Sequence, residues 1–152
     1  MSEPQGPHEA HPRGRHARVG GALGDGDAVL AHSTGAVLAE TVALLEAAAA
    51  TAQRAERDED LMLLAVVAGR EAAQGADLLR RHLPAAAALP AAPAPSAWSD
   101  TLEAAADRID ALIARDLCWP GKVLDLCFAM YHVRTAARAF KAWPAIEEAG
   151  VR

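Results

Sequence analysis

Apolar residues recur at helical spacing in four separate stretches of this chain. From Ala28 to about Ala55, Leu30, Val37 and Leu44 fall every seven positions with Leu38 and Leu45 beside them, and Asp27 stands where an N-cap would. The run Arg54, Glu56, Arg57, Asp58, Glu59, Asp60 breaks the pattern, which restarts at about 57–82 and stops before Pro84. A third stretch, about 99–118, carries Leu102, Ile109, Leu112, Ile113 and Leu117, and Asp100 with Glu103 three residues on resembles a capping box. The fourth, about 122–143, lies between the Trp119-Pro120-Gly121 turn and Pro144.

The segments between these stretches set the topology. Residues 1–27 are rich in Pro and Gly with no period, so a disordered tail is expected, and 144–152 form a short C-terminal tail. Residues 84–97 are an Ala/Pro linker that favours extended backbone. Four amphipathic segments and one long connection predict an all-α fold, an antiparallel four-helix bundle (28–143) made of two helical hairpins joined by that linker.

Composition sharpens this picture. At 152 residues the chain fits a single domain, and 39 of its apolar residues are alanine, so the core must be thin and Ala-rich. Nine Val and three Ile are a poor supply for a sheet. A net charge of -5 disfavours nucleic acid as a partner. The N-terminal stretch has no apolar core of a signal peptide, and no uninterrupted apolar run approaches roughly 20 residues, so no membrane contact and a cytoplasmic address are expected. Cys118 and Cys127 are too few for a disulfide scaffold and too far apart for a Cys-x-x-Cys pair; Cys127 reads as a small core residue.

Projection at 100° per residue separates ordinary surface charges from polar residues that face inward. His32 and Glu46 fall opposite the apolar stripe of the first helix, and Glu40 sits at its edge. In the second helix Leu64, Glu71 and Leu78 are spaced by seven, so Glu71 points toward the interior, and His82 continues that face. Asp116 follows Ile109 by seven and Ile113 by three, while Arg134 and Lys141 share a line with Val123 and lean inward as cations. A buried carboxylate must find a partner. Glu71 and Asp116 are therefore expected in interhelical ion pairs with Arg134, Lys141 or His82; the alternative is a polar ligand site or active site built from Glu40, Glu71, His82 and Asp116.

The usual catalytic and metal motifs are missing from the sequence. No Glu-x-x-His occurs, as a carboxylate-bridged di-iron bundle would require. His8-Glu9-Ala10-His11 falls one residue short of the zinc-protease spacing, and His8, His11 and His16 lie in the tail, so no metal site and no cofactor are expected. Phosphate-loop, dinucleotide and nucleophile-elbow patterns are absent from the sequence. The segment His132-Val133-Arg134-Thr135-Ala136-Ala137-Arg138 resembles the mid-helix histidine of phosphotransfer four-helix domains over one or two turns. That family's lysine is replaced by Thr135, and His132 is read as a surface or interface histidine.

The fourth helix carries the clearest functional signal. Leu124, Phe128 and Tyr131 project away from the stripe of Leu126, Met130, Val133 and Ala137 that should fill the bundle, and Trp143 lies farther along the outer side. An apolar patch of this kind marks an interaction surface. The expected function is a non-enzymatic interaction protein, a homo-oligomer associating through this helix or the partner of another protein.

Overall fold

A computed structural model describes residues 25–92, 95–115 and 120–150, with side chains described for 34–92, 95–115 and 121–143. The expected disordered tail thus lies almost wholly outside the described residues. Four helices account for the fold: α1 (Asp25–Ala55), α2 (Met62–Arg80), α3 (Trp98–Arg115) and α4 (Pro120–Gly150). Each pairs an apolar stripe with a charged face, and alanine, the best helix former, supplies much of both.

Local chemistry moves several expected boundaries. Asp27 lies inside the first turn of α1 and does not cap it, and Asp100 likewise sits within the first turn of α3. The second helix starts at Met62, not near 57, because Asp58 Oδ1 accepts from the Asp60 amide at 3.0 Å and the Leu61 amide bonds the Asp58 carbonyl at 3.2 Å, fixing a tight turn. The expected C-terminal tail is helical as far as it is described, since α4 continues through Pro144 to Gly150. Proline's φ is compatible with a helix, and its cost is one lost backbone hydrogen bond and crowding against the carbonyl four residues back.

Cross-helix pairs fix the directions. Arg80 pairs with Glu46 and Gly69 faces Ala52, so α1 and α2 run antiparallel. Glu71 meets His132 and His82 meets Asp125, which makes α2 and α4 antiparallel. Trp98 stacks on Phe140 while Arg134 reaches Asp107, so α3 and α4 are antiparallel too. The helices therefore surround the core in the order α1, α2, α4, α3, with α2 and α3 parallel on a diagonal. Residues 84–97 make this possible: they reach roughly 40 Å at about 3.1 Å per residue, while the return along α2 needs roughly 28 Å at 1.5 Å per residue. On its way the linker lays Pro90 and Ala91 over the seam between α1 and α3, where these helices touch least.

The core is as thin as the composition requires. Its fully buried large side chains are Leu38, Leu45, Leu79, Leu102, Ile109, Leu126, Val42 and Val133, and alanine fills the rest. In α1 the buried stripe centres on Leu38, Val42 and Leu45; Val37 is only partly buried. The buried face of α2 is Ala65, Ala68, Ala72, Gly75, Ala76 and Leu79, so its backbone comes close to both neighbours. A Cβ at Gly75 would lie 3.4 Å from Leu45 Cδ1 and 3.6 Å from the Ala129 carbonyl oxygen. The one buried polar residue in the described core, Thr41, donates its hydroxyl to the Val37 carbonyl at 2.7 Å.

The glycines of α1 and α2 are unequal in what they allow. A Cβ at Gly35 would meet nothing within 4 Å, whereas one at Gly69 would come within 3.3 Å of Ala52 Cβ. Gly35→Ala should raise stability by about 0.5–1 kcal/mol through helix propensity alone. Gly69→Ala should gain clearly less. Urea midpoints of the two variants against wild type check the order.

One described segment, Thr34–Ala55, is long and apolar enough to cross a membrane by length and composition, with a mean hydropathy of 1.4. Its apolarity is largely alanine, and its Leu38, Val42, Leu45 and Ala48 are buried against the other helices.

Candidate functional site

The α2–α4 interface gathers the unusual polar groups among the described residues, because residues eleven apart on the α2 side and seven apart on α4 each return to one face of a helix. Glu71 and His82 lie on one line of α2, and Asp125 and His132 lie seven apart on α4. Antiparallel packing brings them together in two pairs. His132 Nδ1 donates to Glu71 Oε2 at 2.6 Å, both side chains being 19% exposed. His82 Nε2 donates to Asp125 Oδ2 at 3.0 Å, with Arg81 Nη1 4.0 Å from the other carboxylate oxygen. Each carboxylate fixes the tautomer and orientation of its imidazole, so each pair ties α2 to α4 with a defined geometry.

His132 is thus not a free surface histidine: it is half-buried and held by Glu71, and its ring meets Tyr131 edge-on with centroids 5.5 Å apart. The expected partners of Glu71 are corrected likewise. Arg134 reaches Glu103 and Asp107 on α3, Lys141 is exposed, and His82 belongs to Asp125. Glu40 is exposed and faces Arg108 at 3.5 Å. Asp116 lies outside the described residues. Glu40, Glu71 and His82 therefore share no common pocket, and the two histidine pairs sit roughly 10 Å apart along α4 at 1.5 Å per residue.

Above these pairs the surface is apolar. The exposed large apolar side chains among the described residues are Met62, Leu63 and Val66 on α2 and Leu124, Phe128 and Tyr131 on α4. Projected at 100° per residue, Leu63, Leu124, Phe128 and Tyr131 point to the outward side of the α2–α4 pair, with partly buried Val67 and Leu78 between them, while Met62 and Val66 fall toward α1. Trp143 does not extend this patch. It turns inward and stacks on Phe140 with centroids 5.1 Å apart and planes 5° from parallel. Cys127 is half-buried, not a core residue. Leu63 and Val66 escaped the sequence reading because a short apolar run, Leu61 to Val67, leaves the inward phase of α2 ambiguous.

The chain matches no family model, no curated protein and no solved structure.

The Glu71–His132 bond makes a quantitative prediction. Glu71→Ala leaves a half-buried imidazole N–H without its acceptor and should cost about 1–3 kcal/mol, whereas Glu46→Ala, which breaks an exposed pair with Arg80, should cost 0 to about 1 kcal/mol. A double-mutant cycle of Glu71→Ala and His132→Ala, read by urea denaturation, should give a coupling of at least about 0.5 kcal/mol. Additive effects would mean that the bond does not form.

Proposed function

We propose that this protein is a non-enzymatic helical interaction protein that pairs with a second copy of itself through the outward face of α2 and α4. The observation that carries the reading is the confinement of every large exposed apolar side chain among the described residues to these two helices. Leu63, Leu124, Phe128 and Tyr131 together leave on the order of 500 Å² wet, within the range of the largest patch on an ordinary monomer and a large share of the roughly 800 Å² that one partner of a standard interface buries.

A second copy is the occupant that the margins of this face favour. Arg70, Arg81 and Arg138 stand exposed beside it and the partly exposed Asp125 carboxylate lies at its seam, so the face holds both signs of charge and is able to complement itself across a two-fold axis. The histidine pairs beneath keep α2 and α4 in fixed register, which gives the face a rigid floor. A cytoplasmic address belongs to the same proposal: Glu40 and Glu46 on the outer side of α1 are ion-paired with Arg108 and Arg80, a pattern suited to water and not to lipid. Sedimentation equilibrium tests the proposal, with a dimer expected at micromolar concentration. A monomer at concentrations up to roughly 100 μM, where a Kd is worth only about 5.5 kcal/mol, overturns it.

A further inference from the structure

A second feature lies at the other side of the molecule, where the end of α1, the start of α3 and the later part of α4 meet. Trp98 stacks on Phe140 with centroids 5.7 Å apart, and Phe140 stacks in turn on Trp143 at 5.1 Å. Phe140 is buried at 7% exposure, but both tryptophans remain partly exposed and line an open recess of about 490 Å³. Aromatic residues that only closed the end of the bundle would be expected to fill that space. The volume is instead within the range of small-molecule sites, and its lining of ring faces with a few convergent polar groups is the composition such sites have.

The polar groups narrow the chemistry of the ligand. Ser99, Asp100 and Lys141 line the same recess, and none of their side chains has a hydrogen bond or ion pair among the described residues. Indole faces favour a flat, polarisable ring system. A ligand with net negative charge would meet Asp100, and one with net positive charge would meet Lys141, so the opposed charges favour neither. A neutral ring with both donors and acceptors along one edge satisfies all three groups: Asp100 accepts, Lys141 donates and the Ser99 hydroxyl does either. We propose that this recess binds a neutral fused-ring heteroaromatic molecule of two or three rings, one face continuing the stack of Trp98, Phe140 and Trp143 and its edge on Asp100, Ser99 and Lys141. The site is independent of the self-association face.

Two probes test this on the full chain: 2-aminopurine, with two rings, and riboflavin, with three, each of which loses fluorescence when stacked on indole. Saturable quenching of at least one is expected, with half-saturation below about 100 μM. Lys141→Ala and Asp100→Ala change exposed residues and leave folding intact; each should weaken binding at least about tenfold, the loss of one charge-assisted hydrogen bond. Trp143→Leu should weaken it more than about tenfold, with circular dichroism reporting whether the helices survive. A variant with Leu124 and Phe128 changed to glutamate should bind as wild type does. No saturable quenching of either probe up to roughly 1 mM overturns the site. Binding that Lys141→Ala and Asp100→Ala leave unchanged, or that the Leu124 and Phe128 changes abolish, places the probe elsewhere and overturns it too.

Discussion

With Leu124 and Phe128 both exchanged for glutamate, the protein should keep its helices and sediment as a monomer at concentrations where wild type is paired. The two side chains are 56% and 51% exposed in the single chain, so the bundle loses little when they change. A dimer loses much more. Covering the exposed half of such a side chain is worth about 1 kcal/mol, and a two-fold interface contains each position twice. The substitutions also place four carboxylates where partners would bury them, each costing further desolvation. A combined loss of about 6 kcal/mol or more raises Kd by at least about 10⁴-fold, which removes a micromolar dimer from any accessible concentration. Loss of helicity in place of loss of pairing would show that these residues belong to the bundle's own interior.

Leu45→Ala should be the most damaging of the simple truncations in the core. Leu45 is fully buried, and its Cδ1 would lie 3.4 Å from a Cβ at Gly75, so it fills the space that the missing side chain of α2 leaves. Leucine truncation in cores costs about 2–5 kcal/mol, and the value depends on how far the surroundings collapse. Collapse is blocked at this position, because α2 already approaches through Ala68, Ala72, Gly75 and Ala76, whose side chains are too short to move into the gap. The upper part of the range is expected, about 3–5 kcal/mol, out of a total stability of about 5–15 kcal/mol for a domain of this size. Urea unfolding at constant slope measures it. A cost below about 1 kcal/mol would mean that the helices do relax into the cavity.

The periodicity of the chain was enough to locate four helices and the crossover between them. It was also enough to turn Leu124, Phe128 and Tyr131 outward, because Leu126, Val133 and Ala137 form an unambiguous inward stripe on α4. Projection failed where it had to choose among partners. It placed Glu71 toward the interior but could not say which residue of which helix lies across from it, since that depends on the axial register of α2 against α4. Arg134 and Lys141 were misplaced for a related reason: in a helix packed on two neighbours, a residue at the edge of the stripe reads as inward from the wheel and lies on the rim in space. Trp143 was misread because its ring reaches back over Phe140, a direction that Cα positions alone do not give. The recess beside Trp98 had no linear signature, as its lining comes from three helices distant in sequence.

The crossover linker has a consequence for how the two halves of the molecule find each other. Each hairpin is held by contacts near in sequence, and α2 against α4 is the main seam between them. Residues 84–97 hold the halves together as a tether, at an effective concentration in the millimolar range. Their slack over the roughly 28 Å span is modest. Doubling the tether would cost only about 0.6 kcal/mol in closure entropy, because that term grows logarithmically. Shortening is not symmetrical with this: once the tether cannot bridge the span, α2 can no longer reach α4 of its own chain, and the only α4 left to it belongs to a neighbour. The length of an unstructured Ala/Pro segment thus decides whether the hairpins close within one chain or exchange between two.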